Sequence, residues 1–70
     1  MWKHGKINEC EYWIKHYDEP SIFGIEEGKV SKLTVKRGGC EIINYDRGWD
    51  LEPLTDEDQA ILALILHLYN

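Results

Sequence analysis

The spacing of apolar residues changes once along the chain, between residues 45 and 55. Before this change apolar side chains recur at every second position, as in Cys10, Tyr12 and Ile14, which is typical of a strand with one buried face. After it, apolar residues from Ile61 to Tyr69 recur with helical spacing. The sequence therefore predicts a sheet first and a single helix last.

The strand-like stretches are separated by turn signals. Gly38-Gly39 is typical of a tight hairpin, and Thr55, followed by three acidic residues, is a good helix N-cap. We predict four strands, at residues 2–8, 10–17, 29–37 and 40–45. The expected fold is α+β: one domain over residues 1–70, with a small antiparallel β-meander of about four strands (1–45), a connecting segment (46–54) and a C-terminal helix (55–70) packed on one face of the sheet.

A chain of 70 residues buries only about 60% of the surface that its unfolded form exposes. The helix nevertheless has two apolar stripes, one around Ile65 and one formed by Ile61, Leu64 and Leu68. One stripe suffices to cover a small sheet, so the second favours a homodimer. A strongly curved sheet that wraps the helix, or a dimer through a sheet edge, is the alternative.

The net charge of -5 is distributed unevenly. Residues 1–37 hold seven basic and six acidic residues, a net +1, whereas residues 38–70 hold one basic and seven acidic residues, a net -6. The C-terminal part should repel phosphate backbones and attract basic surfaces. We therefore expect a basic host protein as a partner, and we do not expect duplex DNA.

No leader or membrane-spanning segment is apparent, because the longest apolar run, residues 60–66, is far shorter than the roughly 20 residues that a span requires. We expect a cytoplasmic protein with no membrane partner. Cys10 and Cys40 are then expected to be free thiols, and both alternate with apolar residues in the manner of small core residues.

The stretch from Tyr45 to Asp50 is the main candidate site. In a functional interpretation, Arg47 offers a planar fork to a carboxylate or phosphate, while Tyr45 and Trp49 offer flat stacking faces. In a structural interpretation, Asp46 or Asp50 pairs with Arg47, Trp49 fills the core and a glycine permits the turn. The structural interpretation is favoured for most of these side chains, with Arg47 as the exception. The predicted ligand- or partner-binding residues are Tyr45, Asp46, Arg47, Trp49, Asp50, Lys32 and Ser21.

Ser21 and Lys32 belong to this set because, with Gly24, Gly28 and Ser31, they can cradle a phosphate. No strand-then-helix context follows these glycines, so no nucleotide-binding fingerprint is met. The histidines and cysteines show no metal-ligand spacing, and no complete catalytic constellation is present. We therefore expect no cofactor, no metal and no enzymatic activity.

Lys29, Lys32, Lys36 and Arg37 form a basic strip on the third strand. Such a strip is typical of surfaces for RNA or anionic ligands, although the acidic C-terminal part weakens that interpretation. The alternative is that the strip meets the acidic helix start of a neighbouring subunit.

The pattern Pro20-Ser21-x-x-Gly24-Ile25-x-x-Gly28-x-x-Ser31-Lys32-Leu33, followed by Tyr45-Asp46-Arg47-Gly48-Trp49-Asp50, resembles a family of small uncharacterised proteins from Firmicutes and their phages and mobile elements. The resemblance extends from Trp2 to the helix. Lys29 and Val30 stand where a more arginine-like pattern is expected. The resemblance implies a genomic setting with accessory or anti-defence roles.

Two functions follow as hypotheses. The first is a non-enzymatic interaction protein of phage or mobile-element type that inhibits a host or defence protein through its acidic surface. The alternative is a homodimer that binds or sequesters a small ligand or nucleotide through Arg47 and the neighbouring aromatic residues.

Overall fold

The computed structural model describes residues 2–70, which form five antiparallel strands and one helix; Met1 lies outside the described residues. The strands follow one another in sheet order as in sequence. They are β1 (Trp2–Ile7), β2 (Cys10–His16), β3 (Val30–Arg37), β4 (Cys40–Asp46) and β5 (Trp49–Leu51), and the helix is α1 (Asp56–Tyr69). The α+β class and the antiparallel meander are confirmed. The sheet has one strand more than predicted, because β5 lies within the predicted connecting segment.

Short turns join the strands wherever the chain has residues that tolerate left-handed backbone. Gly38 and Gly39 have φ values of +57° and +81° and close the β3–β4 hairpin as predicted. Asn8, with φ +56°, turns β1 into β2. The connection from β2 to β3 is longer and contains a short 3₁₀ turn, Ile25–Glu27.

The core lies on one face of the sheet. Strand residues of the buried cluster include Tyr12, Ile14, Leu33 and Ile43, and the helix contributes Ile61 and Ile65. Alternation within the strands directs the intervening side chains to the opposite face, where β2 and β3 carry half-buried residues. We refer to this second face as the open face.

The start of α1 is held by its cap and by the end of β3. Thr55 Oγ1 accepts a hydrogen bond from the Asp58 backbone N–H (3.0 Å), as predicted for an N-cap. Arg37 Nη1 donates to Asp58 Oδ1 (2.7 Å), and this hydrogen bond raises the pKa of Arg37. The acidic helix start therefore pairs with Arg37 of its own chain.

The end of α1 is fastened by Asn70. Its Oδ1 accepts a hydrogen bond from Val30 N–H (3.0 Å), and its Nδ2 donates to the Ile25 carbonyl (3.1 Å). These two bonds satisfy backbone groups at the start of β3 and in the 3₁₀ turn. The helix end thus fixes the loop that precedes β3.

Both cysteines are free thiols, as expected. Cys10 is buried, whereas Cys40 is exposed, so the prediction that Cys40 is a core residue is wrong. Cys40 directly follows the Gly38-Gly39 turn, where the hairpin end projects from the sheet. Within residues 2–70, no helix has both the length and the apolar character needed to cross a membrane.

The Tyr12 and Tyr69 hydroxyls form a hydrogen bond (2.8 Å) that joins β2 to α1. This bond, with burial, raises the pKa of Tyr12 from 10.0 to about 12. The unfolded chain therefore loses this proton first as the pH rises, so the stabilisation is complete below pH 10.0 and is lost on approach to about pH 12. In urea unfolding monitored by circular dichroism, we expect Tyr69→Phe to flatten this alkaline loss. An unchanged pH dependence would contradict the coupling.

Candidate functional site

A cleft of about 370 Å³ lies where β2, β3 and the β4–β5 turn meet the loop after β2. We call it the cationic cleft because three basic side chains line it. Its lining residues are Lys15, Tyr17, Ser21, Phe23, Ser31, Lys32 and Arg47. Three of the seven predicted binding residues, Ser21, Lys32 and Arg47, are thus brought together.

Strand register places two lysines side by side in this cleft. Lys15 of β2 is the direct cross-strand partner of Lys32 of β3, and like charges in that position destabilise a sheet. Among residues 2–70, Lys15 has no carboxylate at ion-pair distance, whereas Lys32 Nζ lies 3.8 Å from Asp46 Oδ1. The Lys32–Asp46 ion pair therefore balances only part of the positive charge of the cleft.

A register shift beside these lysines forms the floor of the cleft. His16 pairs with Val30 rather than with Ser31, so Ser31 is an extra residue in β3, as in a β-bulge. Ser31 is buried, and its hydroxyl donates to the Lys15 carbonyl (3.4 Å). Its own carbonyl accepts a hydrogen bond from Arg47 N–H (3.0 Å).

Arg47 occupies a backbone conformation that is unusual for its residue type. Its φ is +55°, in the left-handed region that costs roughly 1–2 kcal/mol for a residue with a Cβ. Gly48, which the sequence suggested as the permissive residue of this turn, does not have positive φ. Asp46 contacts Lys32 instead of Arg47, and within residues 2–70 no acid forms an ion pair with the Arg47 guanidinium. The predicted pairing of Arg47 with Asp46 or Asp50 is therefore not found among the described residues.

The loop wall of the cleft is held by hydrogen bonds at Phe23. Its backbone N–H donates to Ser21 Oγ (3.1 Å), and its carbonyl accepts from the Tyr45 hydroxyl (2.8 Å). Tyr45 is buried, so it supports this loop from below and does not line the cleft. The Phe23 ring is exposed at the rim.

The positive charge of the cleft affects its tyrosine. A hydrogen bond to Lys15 lowers the pKa of the exposed Tyr17, and the charges of Lys15 and Lys32 contribute in the same direction. Lys15 Nζ also lies 5.5 Å from the centre of the Tyr17 ring. The local potential therefore favours an anion in this cleft.

The remaining predicted residues lie elsewhere. Trp49 is 37% exposed and packs edge-on against Tyr45, with ring centres 4.9 Å apart, so the expectation that it fills the core is wrong. Asp50 is exposed on β5 and does not line the cleft. Because β5 pairs with the outer side of β4, it carries both residues away from Arg47.

Trp49 instead contributes to a second cleft of about 540 Å³ beside α1. We call it the acidic groove, because its two charged lining residues are glutamates. It is lined by Glu26, Trp49, Glu52, Pro53, Gln59, Leu62, Ala63 and Leu66.

Sequence analysis missed Lys15, Tyr17 and Phe23, whereas Ser31 belongs to the predicted phosphate cradle. Lys15 lies on the strand face opposite to the core, which the alternation predicts, and Tyr17 follows the end of β2. The Lys15–Lys32 pairing depends on a register that the long β2–β3 loop leaves open. Within residues 2–70, no three His, Cys, Asp or Glu side chains lie close enough together to hold a metal ion.

A protein-family model described as "Domain of unknown function (DUF7678)" matches residues 1–70. No curated protein and no solved structure gives a significant match.

Proposed function

The chain belongs to the DUF7678 family, and from this premise we propose that it is a non-enzymatic protein that binds a small phosphate-bearing anion in the cationic cleft. The observation that carries the proposal is the convergence of Lys15, Lys32 and Arg47 on one cleft, where within residues 2–70 only Lys32 forms an ion pair with an acid. Of the two hypotheses from the sequence, the proposal therefore favours the binder of a small ligand or nucleotide over the inhibitor of a host or defence protein.

The chemistry of the cleft suits phosphate. A guanidinium fork can hold two phosphate oxygens at once, and lysine ammonium groups add charge without a fixed direction. The hydroxyls of Tyr17 and Ser21 are further donors in the same lining. Tyr17 and Phe23 are both exposed, so their rings are available to a flat group such as a nucleobase.

The strain at Arg47 supports the same proposal. Arg47 combines a left-handed backbone with a guanidinium that has no ion pair within residues 2–70, and such conformations concentrate at binding sites. The adjacent Lys15–Lys32 pair is also unfavourable, because like charges directly opposite each other destabilise a sheet. The positive φ of Arg47 and the Lys15–Lys32 pair both lower the stability of the fold. Such costs are expected at a site that has been selected to bind an anion.

Binding without turnover is proposed because the lining contains no histidine, cysteine or carboxylate. These are the usual general bases and nucleophiles near neutral pH. The two free thiols, Cys10 and Cys40, agree with a reducing compartment, so the cytoplasm is the proposed location.

The test is thermal unfolding with pyrophosphate, against sodium chloride at matched ionic strength. A ligand at ten times its Kd adds about 1.4 kcal/mol of stability, which for a domain of this size raises Tm by roughly 6–11 °C. We expect a saturable rise with pyrophosphate only. Equal shifts with chloride, or no shift at millimolar pyrophosphate, would contradict the proposal.

We also propose that α1 packs on one face of the sheet and that a second copy of the chain covers its outer side. Ile61 and Ile65 are buried with strand residues, whereas Leu64 and Leu68 are 48% and 62% exposed. So much exposed leucine on a short helix favours a homodimer. Native mass spectrometry tests this, because a monomer at micromolar concentration would contradict it.

A second candidate function is supported by the acidic groove. Its apolar floor includes Trp49 and Leu66, and Glu26 and Glu52 supply negative charge. This combination fits a basic partner with an apolar anchor, which in the phage or mobile-element setting implied by the sequence resemblance would be a host or defence protein. Capture of a partner that survives Glu52→Lys unchanged would contradict this candidate.

A further inference from the structure

The open face of the sheet has an ordered arrangement of side chains. Cross-strand register aligns one row from β1 to β4: His4, Trp13, Thr34 and Asn44. The next row contains Trp2, Lys15, Lys32 and Asp46. Neighbouring rows on one face are about 7 Å apart, since each strand residue rises about 3.4 Å.

Flat rings dominate the β1–β2 end of these rows. The His4 ring stacks on Trp13 with ring centres 5.0 Å apart and planes at 29°. Trp2 is 57% exposed in the adjacent row. Aromatic rings on an exposed sheet face stack on unpaired bases irrespective of sequence.

Free positive charge lies beside these rings. Lys15 Nζ is 6.0 Å from the Trp2 ring centre, and Lys36 Nζ is 5.6 Å from that of Trp13. Neither lysine has a carboxylate at ion-pair distance within residues 2–70. Two acids of this face are already engaged, since Glu11 Oε2 lies 2.6 Å from His4 Nε2 and Asp46 lies beside Lys32.

We propose that the open face binds single-stranded nucleic acid. Bases stack on Trp13 and Trp2, Thr34 and Asn44 offer hydrogen bonds to base edges, and phosphates follow Lys15 and Lys32. The row of Lys15 and Lys32 ends at the cationic cleft, which Arg47 also lines. One phosphate of the strand enters this cleft, and for that phosphate the inference rests on the proposed function. A paired duplex does not expose its bases to a flat sheet.

The segregation of charge is compatible with this partner in spite of the net charge of -5. Asp58 and Glu57 are held by Arg37 at the start of α1, and Glu26 and Glu52 line the acidic groove beside α1. Local charge, rather than net charge, governs contact with a phosphate chain.

Fluorescence anisotropy of labelled oligo-dT and oligo-U tests the inference, with a duplex of equal length as the comparison. We expect the single strands to bind and the duplex not to bind. The logarithm of the association constant should fall with the logarithm of salt concentration with a slope of roughly -2, corresponding to about three phosphates.

The variants separate stacking from general attraction. Trp13→Leu should lower affinity about tenfold, whereas Trp13→Phe should retain most of it, because leucine removes the ring on which a base stacks and phenylalanine keeps one. Leu54→Ala, at an exposed apolar residue between β5 and α1, is the control and should bind normally. If Trp13→Leu unfolds, Trp2→Leu replaces it, and Lys36→Ala compared with Lys3→Ala isolates the charge.

Equal binding of duplex and single strand, or normal single-strand affinity in both tryptophan-to-leucine variants of the open face, would overturn the inference. Absence of oligonucleotide binding together with a pyrophosphate-dependent rise in Tm would overturn it and leave the proposed function standing. Absence of both would overturn both.

Discussion

Arg47→Ala is expected to lower the affinity for pyrophosphate at least tenfold without unfolding the protein. Arg47 supplies the only guanidinium of the cationic cleft, and charge-assisted hydrogen bonds contribute about 1.5–3 kcal/mol each. Its side chain is exposed and has no ion pair within residues 2–70, so its removal leaves no buried group unpaired. Isothermal titration calorimetry with pyrophosphate measures the loss.

Two further substitutions at this position separate backbone from side chain. Arg47→Gly relieves the positive φ and should raise stability by roughly 0.5–1 kcal/mol while binding is lost. Arg47→Lys keeps the charge but not the fork, and should bind with intermediate affinity. If Arg47→Gly bound pyrophosphate as tightly as the native chain, the guanidinium would have no role in the site.

Ile65→Ala is expected to cost about 3 kcal/mol of folding free energy. Ile65 is fully buried in the cluster that joins α1 to the sheet, and truncation of such a residue removes apolar contacts and leaves a cavity. For a domain of 70 residues the total stability is about 4–10 kcal/mol, so the loss is a large fraction. Urea unfolding monitored by far-ultraviolet circular dichroism measures it.

The neighbouring residue provides the matched control. Leu64 is 48% exposed, so Leu64→Ala should change the stability of the single chain by well under 1 kcal/mol. In a dimer that uses this side of α1, Leu64→Ala should instead shift the monomer–dimer equilibrium. Equal costs for the two variants at low protein concentration would contradict the proposed packing of α1.

The elements that could be predicted are those with local signals. The Gly38-Gly39 turn and the Thr55 cap rest on backbone chemistry that neighbouring residues determine, and both are found where expected. β5 was missed because its turn lacks the usual glycine or asparagine in the left-handed position, which Arg47 occupies instead. Because a turn is predicted from the residue types that favour it, an arginine in the left-handed position gives no sign of the turn.

The candidate site was predictable by residue type but not by arrangement. Ser21, Lys32 and Arg47 suggested an anion site from their chemistry alone. Lys15 joins them only through the register of β2 and β3 and the shift at Ser31, both of which depend on tertiary packing. Likewise, Arg37 belongs to the basic strip in sequence, but it pairs with Asp58, 21 positions away.

A nuclear magnetic resonance titration of ¹⁵N-labelled protein with pyrophosphate locates the anion directly. The backbone amides of Lys15, Tyr17, Phe23, Lys32 and Arg47 should shift together and saturate with one Kd, while those of Lys3 and Lys29, outside the cleft lining, stay in place. Equal shifts of the backbone amides of all lysines, or shifts centred on the acidic groove, would contradict an anion site in the cationic cleft.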